Sequence, residues 1–403
     1  MKVTLIGIGC GSKVTMTAEA AEALSAADLI IGAGRLLEGV SGEYDAPRIS
    51  AVDGRRIYDA IMREKKENTC VIYSGDSGFY SGTRKLLPLL EGTGIEIEVI
   101  AGVSSVQFFA ARLGMPWHDW NLFSAHGVDC DAVNAVMKGK PAFFLTGGAL
   151  GPAELCGQLC DAGLGKLRVI IGENLSYDSE HIYRCTAAEA AEMKFDMLSV
   201  MLAEPAPAGE KQAGRRSPGI PDDDFIRGSV PMTKRDIRAA VLGRLDVSAG
   251  DVIWDVGAGT GSVSVEMALA IDSGHVYAIE CGDEGAELIE KNRRAFGAWN
   301  LSVVKGMAPE AFEDLPAPDA VFIGGTKGRM KEIIEEIYRR NEKARICVSA
   351  IALETLKDAA EALAVCGCDV DITQIAVSNA RETGRLHMMM ANNPVFLITG
   401  RRK

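Results

Sequence analysis

The stretch VIWDVGAGTG, residues 252–261, constrains this 403-residue chain more than any other. Its first four residues have the apolar, β-branched and aromatic character of a buried strand. Glycines at 257, 259 and 261 follow, and then residues 262–271 have helical character. A glycine turn between strand and helix lets a ligand approach bare backbone, and the helix start adds unpaired N–H groups. A second predicted strand, residues 275–279, runs out into Glu280, nineteen positions after Gly261. An acid at the end of that strand can accept both hydroxyls of a ribose. The combination predicts a nucleoside site at the edge of an open α/β sheet.

The rest of the chain supplies the frame. Its length allows two or three domains. Predicted strands at 3–9, 29–31, from 70, and at 95–100, 121–123, 142–145, 168–171 and 198–202 alternate with small-residue turns and helices. That order predicts an α/β first half with a mainly parallel sheet. Residues 204–228 break the pattern with prolines, glycines, Arg215-Arg216 and three consecutive aspartates, and read as a linker between domains 1–203 and 229–403. In the second half Thr233 is expected to cap a helix reaching Leu245. Strands recur at 252–256, 275–279, 301–304, 319–323 and 345–349. Two more, near 371–377 and 394–399, lack a crossover helix between them and predict an antiparallel edge.

Composition removes several function classes. A net charge of −12 argues against nucleic acid as a bulk partner. An anionic small substrate would then need a local cluster of cations. No apolar run is long enough to cross a bilayer, and the first residues enter a strand without a signal-peptide pattern, so the expectation is a cytoplasmic protein with no membrane partner. The ten cysteines are scattered and read as reduced thiols, and no metal-ligand spacing is present.

The glycine turn reads Gly-x-Gly-x-Gly, with Ser262 where a dinucleotide fingerprint places its third glycine. A nicotinamide-dependent oxidoreductase would use the same turn, and so would a non-catalytic nucleotide sensor. Three features favour S-adenosylmethionine (SAM): Asp255 ahead of the first glycine, Glu280 in register, and a small-residue turn around Ala308 where an adenine edge can lie. With Thr233 and Thr260 these form the expected second-half cofactor set. The strand ending at Gly324-Gly325 has open backbone where amino-group methylases carry an acid or Asn before paired prolines, which points to a carbon acceptor. Lys234, Arg238, Lys327 and Arg385 are the expected substrate-binding cations, beside Gly324 and Gly325. Arg235, Arg329 and Arg381 belong to the same basic set. His387, followed by three methionines, reads first as packing and second as a proton donor or acceptor.

In the first half, Gly75-Asp76-Ser77 follows a strand, Ser104-Ser105 opens a helix, and Thr146-Gly147-Gly148 follows another strand. Three such loops, expected on one sheet, suggest a second small-molecule cleft. His126, in Ser124-Ala125-His126-Gly127, could face it. No nucleophile–histidine–acid order is present in either half.

These residues carry a resemblance. Gly7-x-Gly9, Gly75-Asp76, the 101–105 turn and Glu173-Asn174-Leu175 resemble the tetrapyrrole methylases, which bind SAM in a cleft between two α/β subdomains. The family's usual proline after Gly-Asp is Ser77 here, a departure that the carbon 5 subgroup tolerates. Thr233-Lys234, the 255–261 turn, Glu280, Gly324-Gly325 and Asn393-Pro394-Val395 resemble the class I (Rossmann-like, seven-stranded) decarboxylating precorrin methyltransferases. In this order the halves resemble the fused precorrin methyltransferases of corrinoid biosynthesis. The resemblance implies one SAM per domain, an anionic precorrin with or without cobalt, methylation at carbon 5 by residues 1–203, and methylation at carbon 15 with loss of the ring C acetate carboxylate by residues 229–403. It also implies a homo-oligomer.

Overall fold

The computed structural model describes residues 1–126, 130–211 and 217–402. Gly127, Arg215 and Arg216, which figured in the sequence reading, lie outside them. The chain divides into two compact units, one formed mainly by residues 1–205 and the other mainly by 206–403.

In the first unit, β1 (Lys2–Gly7), β2 (Leu29–Gly32), β3 (Arg48–Ser50), β4 (Asn68–Tyr73) and β5 (Glu96–Ile100) form one sheet in the order β3-β2-β4-β1-β5. Every pairing is parallel. Alternate residues pack to opposite faces: Val3, Leu5 and Val71 join one core, Ile6, Cys70 and Ile72 the other. Burial on both faces explains why these strands read as continuous apolar runs. A second sheet contains β6 (Asn121–Ser124), β7 (Ala142–Leu145), β8 (Arg168–Glu173), β9 (His181–Thr186) and β10 (Ser199–Ala203) in the order β6-β7-β10-β8-β9. It is mixed: β6 and β7 run parallel, while β10 is antiparallel to both neighbours and β9 to β8. The first half therefore holds two sheets rather than one mainly parallel sheet. Strands β3 and β9 were missed, because edge strands with half-exposed residues lack the apolar run that marks a central strand.

The second unit is built on β11 (Val252–Val256), β12 (His275–Glu280), β13 (Leu301–Lys305), β14 (Ala320–Ile323), β15 (Arg345–Ala350), β16 (Cys368–Ile375), the separate hairpin of β17 (Ser378–Thr383) and β18 (Leu386–Ala391), and β19 (Val395–Arg402). The seven-stranded order is β13-β12-β11-β14-β15-β19-β16. Only β19 runs against its neighbours, inserted between β15 and β16, which is the predicted antiparallel edge. Ala320 and Phe322 of β14 face one core and Val321 and Ile323 the other, so helices cover both sides of the sheet. The order reverses at β11 and β14, both of which continue into glycine loops. In open α/β sheets ligands bind at this switch point, beyond the carboxyl ends of the strands.

Residues 217–225, within the expected linker, are fastened to this unit. Ile220 and Phe225 are buried in its core. Glu266 accepts hydrogen bonds from the backbone N–H of Gly219 (2.7 Å) and Ile220 (3.1 Å).

Candidate functional site

At the switch point the backbone makes a cradle that side chains could not enter. Gly257, Gly259 and Gly261 all have positive φ, +74°, +57° and +74°. A Cβ on Gly257 would lie 2.7 Å from backbone atoms of Gly325, so the two glycine loops touch. Glu280 fastens the turn: one carboxylate oxygen accepts from Gly259 N–H (2.9 Å), the other from Gly282 N–H (2.8 Å). The Cys281 thiol also donates to the second oxygen (3.7 Å), and the oxygen bonded to Gly259 keeps a lone pair for a further donor. The Thr260 hydroxyl is buried without a partner.

A cavity of about 700 Å³ opens beside this cradle, bounded by the 257–260 turn, Thr233-Lys234, the 324–328 loop, the ends of β15 and β19, and Asn392-Asn393. A narrow side slot shares Gly257 and Gly325 and reaches Ala308. Thr233, Lys234, Gly257, Gly259, Thr260, Gly324, Gly325 and Lys327 thus come together as expected. Sequence reasoning missed Asp236, Thr355 and Asn392 in the same wall, and named Asn393, which also lines it, only as part of the family motif. Asn392 adjoins the Asn393-Pro394-Val395 motif, which was the available signal. Thr355 and Asp236 lie on helices and carry no local mark.

Asp255 and Gly261 lie just behind this wall. Asp255 is fully buried, and Ser264 Oγ donates to it. Burial drives its pKa up to about 7, with the Ser264 hydrogen bond opposing and the Glu280 charge adding. Its other oxygen has no partner.

Two expected substrate cations are elsewhere. Arg238 is completely buried. Its guanidinium donates to Glu266 (2.7 Å), Asp222 (2.7 Å) and the Thr233 carbonyl (2.5 Å), so it is a structural tie. The sequence did hold the clue: Arg238 shares one face of helix Arg235–Leu245 with Val241, Leu242 and Leu245. Lys234, not Thr233, occupies that helix's N-cap. Arg385 follows Gly384 in the two-residue turn at the tip of the β17–β18 hairpin, six residues from its base, and lines no part of the cavity. Arg329 is engaged by Glu310 and Glu332. The lysines of the cavity wall are Lys234 and Lys327, with Asp236 as its carboxylate. His387 is exposed in β18, outside the cavity, and Met388, Met389 and Met390 are exposed too, so this segment is not core packing.

The first unit gathers its loops around a cavity of about 290 Å³. Gly9 and Gly75 exchange backbone hydrogen bonds (3.1 and 2.7 Å). Asp76 accepts from Gly78 N–H (2.9 Å) and Gly102 N–H (3.0 Å), joining the loops after β4 and β5. Gly7 lies behind them: a Cβ there would meet backbone of residues 75, 77 and 102 at 2.7–2.9 Å. Ser77 is buried in the same loop. Ser104 caps its helix in a capping box with Gln107. Gly75, Asp76, Ser104, Ser105, His126 and Thr146 line the cavity. Thr146 arrives from β7 of the second sheet, so the loops come from two sheets and not one. Its hydroxyl is committed to the Ser199 carbonyl at 2.6 Å. Cys10 also lines the cavity, and burial pushes its thiol up to about 12, far from a thiolate nucleophile.

Comparisons with known proteins agree with both halves. Residues 2–191 match the tetrapyrrole (corrin/porphyrin) methylases, and residues 224–402 match the precorrin methyltransferase domain. A precorrin-6Y C(5,15)-methyltransferase (decarboxylating) from Sinorhizobium is 31% identical over 83% of this chain and 82% of its own length. A probable cobalt-precorrin-6B C(15)-methyltransferase (decarboxylating) from Pyrobaculum calidifontis is 43% identical over 45% of this chain and 95% of its own. The crystal structure of a precorrin-6Y C5,15-methyltransferase from Geobacter metallireducens is 35% identical, covering 48% of this chain and all of that one, with a TM-score of 0.46. Sheet order, glycine cradle and family matches define a SAM-dependent methyltransferase, which sets aside the oxidoreductase and sensor alternatives. The chain belongs to the family of decarboxylating precorrin-6Y C(5,15)-methyltransferases.

Proposed function

We propose that this chain methylates carbons 5 and 15 of precorrin-6Y, or its cobalt form, and removes the ring C acetate carboxylate. Residues 1–203 carry the carbon 5 step and residues 229–403 the carbon 15 step with decarboxylation, joined by 204–228. Each half holds its own SAM. The observation that carries the reading is the second-half cradle: three positive-φ glycines, Glu280 and the unpaired Thr260 hydroxyl, opening onto a wall with two lysines.

The cradle fits SAM. Glu280 is suited to the ribose hydroxyls, the 257–261 turn and Thr260 to the amino-acid part, and the slot at Ala308 to the adenine. In the first half Gly75, Asp76, Ser104, Ser105 and Thr146 would hold it, with Gly7, Gly9 and Ser77 shaping the loops. Bound SAM supplies an electrophilic methyl group. The chain's task is to hold the ring carbon in line with that methyl and exclude water. A reduced tetrapyrrole is itself enamine-like, so no strong protein base is needed, which suits walls made of loops. Lys234 and Lys327, with the open backbone of Gly324-Gly325, would bind substrate carboxylates. On loss of carbon dioxide the conjugated macrocycle takes up the electron pair of the broken bond.

The same reading holds the protein to be a cytoplasmic homo-oligomer, with no nucleic-acid or membrane partner. All twelve residues of β17 and β18 are exposed, among them Leu386 at 72% and Met389 at 66%. A two-stranded hairpin alone is marginal in water, so a second copy covering this one would stabilise it. Among the described residues no helix is long and apolar enough to cross a membrane.

Incubating the chain with SAM and precorrin-6Y, followed by mass spectrometry, tests the function. The expected product has gained two methyl groups and lost one carbon dioxide. A product with methyls gained and every carboxylate retained would overturn the decarboxylation.

A further inference from the structure

Among the described residues no lysine lines the first-half cavity, in contrast to the two of the second, yet under the proposed function the same anionic substrate has to reach it. Arg35 is the arginine that lines it. Arg35 also lines a neighbouring cavity of about 370 Å³, and the two cavities share Arg35, Tyr177 and Leu198. Arg35 therefore borders both cavities.

Arg35 is exposed and is held by a phenol. Nη1 donates to the Tyr177 hydroxyl at 2.7 Å. Among the described residues no carboxylate pairs with it, whereas Lys13, the other cation of the neighbouring cavity, is engaged by Glu43. A phenol leaves most of the five guanidinium donors free for a bidentate acceptor. Tyr177 is itself held in place by the backbone. It follows a loop in which Asn174 and Ser176 have positive φ, +49° and +74°. Ser176 Oγ accepts from Ser12 N–H at 3.2 Å, and Ser176 N–H donates to Glu180 at 2.7 Å. Gly11, at φ +116°, leaves the space: a Cβ there would lie 2.0 Å from the Tyr177 oxygen. The Glu173-Asn174-Leu175 motif thus leads into Tyr177, whose phenol anchors the guanidinium of an arginine that lines both cavities.

We infer that Arg35, positioned by Tyr177, binds a carboxylate of the tetrapyrrole at the carbon 5 site and sets how the ring enters. This rests on the assignment of carbon 5 methylation to the first half. The test uses the full chain with SAM carrying an isotope-labelled methyl, and reads the carbon 5 and carbon 15 methyl signals separately by NMR. Loss of a charge-assisted hydrogen bond to the substrate in Arg35→Ala should raise the tetrapyrrole KM of the carbon 5 step about 30-fold. Arg35→Lys should recover part of it, and Tyr177→Phe should raise KM only about threefold, since the cation remains. The SAM KM of that step and all constants of the carbon 15 step should stay unchanged. A tetrapyrrole KM within twofold of wild type in Arg35→Ala overturns the inference. So does a rise in SAM KM alone, which would make the bound carboxylate that of SAM. A wild-type chain forming no carbon 5 product refutes the parent assignment, and the inference falls with it.

Discussion

The two cavities, each proposed to hold a sulfonium nucleoside against a ring carbon, are built by different structural means. The second-half cavity is built at the carboxyl ends of neighbouring strands of a single sheet. Its turn, its acid and its facing glycines follow β11, β12 and β14, three strands adjacent in space. The first-half cavity is assembled from loops after β4 and β5 of one sheet and β7 of another. A site on one sheet is fixed by the strand register that makes the core, so its residues sit in short motifs. A site shared by two sheets is fixed by long-range loop contacts, such as Asp76 with Gly102 and Gly9 with Gly75.

Four substitutions would break or sharpen that contrast. The largest effect should come from Arg238→Ala. It strands Glu266, buried and bonded to the 219–220 backbone, without its cation. Breaking a buried pair of this kind costs about 3–5 kcal/mol. Thermal unfolding should show the second unit destabilised and the first unchanged. If stability holds and only substrate KM rises, Arg238 is a substrate ligand after all.

Gly257→Ala should follow. Its φ is +74° and the added Cβ would press on Gly325 backbone. Strain of about 2–3 kcal/mol corresponds to a loss of roughly 100-fold in second-half SAM affinity. The carbon 15 methyl and carbon dioxide loss should fall together while the carbon 5 methyl persists. Loss of both methyls would mean one site serves both carbons.

Asp255→Asn tests burial. The pKa of Asp255 is raised in the fold, from 3.8 to about 7. Its contribution to stability is therefore full below the unfolded value and is lost as pH rises through about 7. Asparagine removes this dependence. The variant should gain stability relative to wild type as pH rises from 4 to 8, by about 1.4 kcal/mol for each unit by which the native pKa exceeds the unfolded one, with the gap closing toward pH 4. Parallel stability–pH curves for the two proteins would contradict a carboxyl titrating in that window.

Gly75→Ala should be mildest. Its φ is +71°, but the nearest atom to an added Cβ is Ser104 Cα at 3.7 Å. The expected cost is about 1 kcal/mol, or about fivefold in the SAM KM of the carbon 5 step. An effect as large as that of Gly257→Ala would erase the difference between the two cradles.

The same contrast governs what could be read from the chain. Strands buried on both faces, such as Val252–Val256 and Ala320–Ile323, announce themselves as apolar runs, and the turn between strand and helix follows from its glycines. The β17–β18 hairpin escaped because Arg381, Glu382 and His387 interrupt its apolar residues and neither face is buried in the chain. Arg238 was misread because charge suggested surface, while its helical spacing with Val241 and Leu245 marked it as interior. Arg35 and Tyr177 were invisible: they are 142 positions apart, and no local pattern links them.

Calorimetric titration of the full chain with SAM is the most direct test of two separate sites. The account predicts two SAM molecules per wild-type chain and one per Gly257→Ala chain. One per wild-type chain, or two undiminished in the variant, would contradict it.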